Sequence, residues 1–187
     1  MVRSFDGTPV DPDWLDELCA TALFAPTAGN TAGVRMYPVA TELVADYFAV
    51  ATDRQWREGS RRAPGLLRAS AVVLVTSRPQ DYFARYAEPD KRTSGLGSPD
   101  AWTVPYWHTD AAMATMALLL LVEAHGWQAT LWGNFRRDAE VLTWAGAENE
   151  HLFGTVVLGR GDDSDVPSSS LSRAVPSRRA RVRRVRN

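Results

Sequence analysis

The sequence predicts an α+β fold, a three-layer sandwich in which helices are interleaved with a few short strands. Three observations carry this. "SAVVLVTS", Ser70 to Ser77, is a short continuous run of β-branched and apolar residues, the pattern of a strand buried on both faces. From Trp107 to about His125 the chain reads helical and apolar almost all round, which places that helix at the centre of the domain or of a dimer. The remaining strand patterns fall between helical ones without the regular alternation of a βαβ array.

Taken in order, Asp11 caps a first helix whose opening turn holds Pro12 and Asp13, with Trp14, Leu15, Leu18, Cys19 and Ala22 as its apolar stripe. It should stop before Pro26. "VRMYPVA" (Val34 to Ala40) reads as a strand that its proline marks as an edge or a strand end, and a helix follows over Glu42 to Ala51. Ser70 to Ser77 is the central strand. Pro79 to Trp102 starts helically and then becomes a Gly, Ser and Pro-containing loop long enough for a lid or substrate loop. After the long helix, which Gly126 ends, strands are expected over Gln128 to Phe135 and Leu152 to Gly159, separated by a helix over Asp138 to Ala145.

The chain has 187 residues, 45% of them hydrophobic, enough for one good core and hence a single domain over 1–187. Its longest mostly apolar run, Ala111 to Val122, falls well short of the roughly 20 residues of a membrane span. No secretory n-region and h-region opens the chain, and its one cysteine has no partner. A cytoplasmic protein without disulfides is expected.

Charge is uneven: residues 173–187 hold seven arginines and no acid, so the formal net charge of -1 conceals an acidic body and a basic tail. Such a tail suits nucleic acid or an acidic protein surface. Without interleaved aromatics or a reader motif, nucleic acid is the weaker reading.

Several chemistries lack support. "GLGSPD" (Gly95 to Asp100) has neither the third glycine nor the strand-to-helix setting of a dinucleotide fingerprint. His108 and His125 share one predicted helix but lie roughly 25 Å apart at 1.5 Å per residue, so they hold no metal together. No serine sits in a nucleophile elbow. "APTAGNTAG", Ala25 to Gly33, is more informative: Thr27 offers a hydroxyl and Asn30 an amide, while Gly29 and Gly33 permit close approach. It makes a hydrogen-bonding cup, although taken locally its composition favours a plain helix stop and turn.

"RSFDGTPVDPDWLDELCATALFAPTAGNTAG" (Arg3 to Gly33) resembles the start of the nitroreductase-like flavoproteins. "RYAEPDK" (Arg85 to Lys91), "WTVPYWHTDAAMATMALLLL" (Trp102 to Leu121), "GWQATLWGNF" (Gly126 to Phe135), "VVLGRG" and "SSSLSRAVPSRRARVRRV" (Ser168 to Val185) match further family segments in order. The resemblance implies a nitroreductase-like three-layer sandwich with a mostly antiparallel central sheet, helices on both faces, and a domain-swapped C-terminal arm over 168–187. It implies an FMN-dependent NAD(P)H oxidoreductase, active as a homodimer with flavin sites at the interface, acting on a small-molecule electron acceptor such as a nitroaromatic or quinone.

By the same resemblance, Arg3 and Ser4 serve the ring or ribityl side. Pro26, Thr27, Ala28, Gly29 and Asn30 form the cup around the flavin of the other subunit, and Gly133 and Asn134 present backbone N–H groups near N5. Arg173, Arg178 and Arg179 meet the phosphate; Tyr86, Tyr106 and Trp107 wall the substrate side, or else simply pack. No catalytic side chain and no metal is implied. Three positions depart from the family pattern: Ala32 stands where a glutamine is common, only Met1 and Val2 precede Arg3 where arginines are common, and Ala180 follows Arg179 in place of proline. A non-catalytic or weakly flavin-binding member of the fold, acting as a binding or scaffold protein, is the alternative they leave open.

Overall fold

A computed structural model describes residues 1–134 and 136–185. Phe135, the end of the expected strand from Gln128, and Arg186 and Asn187 at the tip of the basic tail lie outside the described residues. In chain order the elements are α1 (Pro12–Ala22), β1 (Val34–Val39), α2 (Val44–Ala51), α3 (Arg54–Gly59), α4 (Ala63–Leu66), β2 (Ala71–Ser77) and α5 (Pro79–Ala87). α6 (Tyr106–Ala124), β3 (Gln128–Trp132), α7 (Asp138–Trp144) and β4 (His151–Gly159) follow.

Asp11 starts α1 as expected: its carboxylate accepts from the Asp13 N–H at 3.0 Å, satisfying one of the donors a helix N-terminus leaves open. Leu15, Leu18, Cys19 and Ala22 form the buried stripe. Burial pushes the Cys19 thiol up to about 12, with the charge of Asp16 adding to the effect, so the lone cysteine is not poised as a nucleophile.

The four strands form one antiparallel sheet in the order β1-β2-β4-β3. β2 is buried along its whole length, as its composition predicts. Its side chains alternate between two cores: Val73 and Val75 pack with α1 and α6, while Val72 and Leu74 pack with α2 and α7. Helices therefore cover both faces, giving the three layers. β1 is an edge strand, the place where Pro38 costs no ladder bond.

The chain between α2 and β2 carries no expected element, yet it forms α3 and α4. Both are too short to show a period; Asp53 caps α3 through the Trp56 N–H at 2.6 Å. The expected lid after α5 is more ordered than its composition suggests, with 3-10 turns at Arg92–Ser94 and Pro99–Ala101. The Trp102 indole N–H closes it on the Leu96 carbonyl at 2.8 Å. α6 lies on the sheet beside α1, and its apolar circumference is only half used. Met113, Met116 and Leu120 stay 40%, 53% and 58% exposed, at spacings that put them along one face. No helix among the described residues is long and apolar enough to cross a membrane.

Candidate functional site

Thr27 to Asn30 turns through a short 3-10 segment just before β1, with Gly29 at φ 66° and Asn30 at φ 55°. Two successive left-handed residues need glycine or a short polar side chain, which is why this turn has this composition. The loop is fixed from behind. Asp110, fully buried on α6, accepts from the Ala28 N–H at 2.8 Å and from the Tyr82 hydroxyl at 2.9 Å through the same oxygen, Oδ2. Burial, and after it the Asp110 carboxylate, push the Tyr82 phenol above its ordinary range, so Tyr82 stays a donor. Arg85 donates from Nε to the Gly29 carbonyl at 2.9 Å and is itself held by Glu88 and Asp90. A Cβ on Gly29 would lie 2.8 Å from the Tyr86 ring, and one on Gly33 would collide with Tyr82.

The outer side of the loop is open. Phe24, Pro26, Thr27 and Asn30 line a cleft of about 400 Å³. The Thr27 hydroxyl and the Asn30 amide make no hydrogen bond among the described residues, so both remain available to a ligand, while Ala32 at the same rim adds no donor.

Gly133 and Asn134 follow β3 directly. Asn134 turns its side chain inward to close a ring of three bonds: its Nδ2 donates to the Tyr47 hydroxyl at 3.2 Å, Tyr47 to Thr155 at 3.0 Å, and Thr155 back to Asn134 Oδ1 at 2.7 Å. Burial pushes the Tyr47 phenol up to about 12 although Thr155 and Asn134 pull the other way. The ring anchors this turn, leaving its backbone rather than the Asn134 amide as what it can offer.

Arg3 and Ser4 lie elsewhere. The Val2 N–H meets the Ala129 carbonyl at 3.1 Å at the start of β3, and Ser4, nearly buried, shares a 2.8 Å hydrogen bond with Ser164. Gly65 lets the N-terminal segment run close, since a Cβ there would lie 2.7 Å from the Arg3 carbonyl. Arg3, Arg61, Arg62 and Arg68 line one cleft with Asp165. Arg68 pairs with Asp162, whose carboxyl is held at about 2 chiefly by the Ser164 hydroxyl and N–H.

Arg173, Arg178 and Arg179 sit on the exposed tail, line none of the clefts described here and pair with no carboxylate among the described residues. Tyr86, Tyr106 and Trp107 gather around Trp102, their ring centroids 4.8, 5.8 and 5.9 Å from it. Tyr86 thus backs the cup through Gly29, and the other two extend that packing. Asp110, Tyr82 and Arg85 went unread in the sequence. The signal for Asp110 was a lone acid opening an apolar helix, followed by Ala111 and Ala114 on the buried face.

One chain does not bring these parts together. The cup precedes β1 and Gly133 follows β3, and these strands are opposite edges of the sheet, separated by three strand spacings or roughly 14 Å. Arg3 is level with Ala71 and the cup with Ser77, about 20 Å apart along β2 at 3.3 Å per residue.

The sequence model described as the Nitroreductase family matches residues 1–160. Among curated proteins none matches. Similar solved structures include an enone reductase of gut-bacterial fatty-acid saturation, at 19% identity and TM-score 0.66, covering 90% of this chain and 87% of that one. A protein from Exiguobacterium sibiricum, named for nitroreductase likeness and solved in complex with FMN, has 16% identity and TM-score 0.68, covering 94% and 88%. A nitroreductase-like protein from Streptococcus mutans has 18% identity and TM-score 0.65, covering 94% and 93%.

Asp110→Ala leaves the buried Tyr82 hydroxyl and the half-buried Ala28 N–H without this acceptor, and should cost about 1–4 kcal/mol in urea unfolding, more than Tyr82→Phe, which removes a donor. A loss below about 0.5 kcal/mol, the range of an ordinary surface substitution, would show that the cup does not depend on this carboxylate.

Proposed function

The chain belongs to the nitroreductase family, and from that premise we propose that it is an FMN-dependent oxidoreductase carrying hydride from NAD(P)H to a small planar acceptor, such as a nitroaromatic or quinone. The observation that carries the reading is the cup: a loop clamped from behind by Asp110, Tyr82 and Arg85 while the Thr27 hydroxyl and Asn30 amide face outward with no partner among the described residues. That donor set suits the polar edge of a planar heterocycle. The Arg3 cleft adds cations without which a phosphorylated ligand would be held weakly.

The chemistry supplied by bound FMN is hydride exchange at N5, so the protein needs no covalent nucleophile. Gly133 and Asn134 would offer backbone N–H groups toward N5, held in place by the Tyr47–Thr155–Asn134 ring. Arg3 would favour negative charge on the ring or ribityl side, with Ser4 beside it. Arg173, Arg178 and Arg179 on the arm would approach the phosphate, where a guanidinium can form two parallel bonds. Tyr86, Tyr106 and Trp107 would support the substrate wall from behind.

The placement of cup and Gly133 on opposite sheet edges supports a site shared with a second copy, which would bring its own cup to the first chain's β3 edge. The apolar face of α6 supports this: Met113, Met116 and Leu120 run along the helix that carries Asp110, and Phe24 at the cup's rim is 89% exposed. An arm exchanged between copies belongs to the same proposal.

Protein purified with added FMN should be yellow and should bleach with NADH or NADPH under anaerobic conditions; colourless protein that retains no FMN would sink the enzyme reading and favour the binding-protein alternative. Light scattering should give a dimer mass, and Met116→Glu/Leu120→Glu should give a monomer with an unchanged far-UV spectrum. A wild-type monomer at micromolar concentration would rule out the shared site.

A further inference from the structure

Four arginines from three parts of the chain meet in the cleft beside Ser4: Arg3 from the N-terminal segment, Arg61 and Arg62 from the turn between α3 and α4, and Arg68 after α4. Two carboxylates accompany them, Asp162 bound to Arg68 and Asp165 on the cleft wall, which leaves positive charge in surplus. Arg3, Arg61 and Arg62 form no ion pair among the described residues, whereas Arg35, Arg54, Arg78, Arg85 and Arg137 all do. Surplus guanidinium charge in a concave, polar setting is the chemistry of a phosphate monoester site. The cleft of about 100 Å³ continues past Arg61 and Arg62 into a groove of about 400 Å³ along Ser60, Val166, Pro167 and Ser169.

We propose that Arg61 and Arg62 are the fixed cations that bind the flavin's phosphate, with Arg3 in the same cleft serving the ribityl side and the arm arginines adding to the phosphate. This rests on the reading of the chain as an FMN protein. The placement is coherent in chain terms. Gly65 brings the α4 turn against Arg3 and Ser4, and the Val2–Ala129 bond puts this corner on β3, the strand that ends at Gly133 four residues on. One sheet edge thus carries the cationic corner and the turn offered to N5, about 13 Å apart at 3.3 Å per residue. The arm leaves the body along the same groove through Val166 and Pro167, so its arginines would add to a site the body already holds.

The test compares FMN with riboflavin, which lacks only the phosphate, by flavin fluorescence titration of the full chain. Wild type should bind FMN far more tightly than riboflavin. Arg61→Ala/Arg62→Ala should cut that preference roughly tenfold to a hundredfold while leaving the riboflavin Kd unchanged, the loss expected for charge-assisted bonds. Arg61→Lys/Arg62→Lys should restore part of it, and Arg54→Ala, a nearby charge outside the cleft, should not alter it. A preference that survives in the alanine pair but collapses in Arg178→Ala/Arg179→Ala overturns the inference and leaves the family reading standing. A wild-type chain that binds neither flavin overturns that reading and the inference together.

Discussion

The order of the strands is the constraint on which the site depends. With β2 and β4 in the middle, β1 and β3 become the two edges, and each edge ends in one half of the candidate site. The cup enters β1 and the Gly133 turn leaves β3. Within one chain the two halves stay roughly 14 Å apart, at three strand spacings. On the proposed reading, the same order that buries β2 on both faces divides the site between two copies, and the exposed face of α6 is the surface on which the second would sit.

Each half is held by buried polar groups, and both anchors work by the same physics. Asp110 is fully buried and takes two donors on one oxygen, while Oδ1 has no hydrogen-bond partner among the described residues. The Tyr47–Thr155–Asn134 ring satisfies three side chains at once. A buried polar group costs free energy when unpaired and restricts geometry when paired, so these anchors specify loop conformation more than they add net stability. The loops then present free donors at fixed positions, which a ligand with several acceptors requires.

Much of the framework was legible because it rests on local patterns. The Ser70–Ser77 run announces a strand buried twice over, Pro38 an edge, and Asp11-Pro12 a helix start. α3 and α4 were not legible, since helices of six and four residues show no period. For the site, the cup's glycines and asparagine could be read because left-handed backbone favours those residues. Its supports could not, because Tyr82, Tyr86 and Arg85 reach it from α5, more than fifty residues on, and only the fold brings them there. Arg61 and Arg62 show no motif in the sequence, and their place beside Arg3 depends on Gly65 packing against the N-terminal segment. The resemblance implied a cup serving the other subunit's flavin, but its basis in the two sheet edges could not be read, as strand order is not a local property of sequence.

The most direct test of this shared site is flavin stoichiometry in mixed dimers, with Thr27→Glu on one chain and Arg3→Glu on the other. If the cup of one copy serves the β3 edge of its partner, one site of the mixed dimer carries both lesions and the other carries none. The mixed dimer should then bind one FMN while either homodimeric variant binds none. A mixed dimer that binds no FMN, alongside a wild type that binds two, would place cup and Arg3 in the same chain's site and contradict the account.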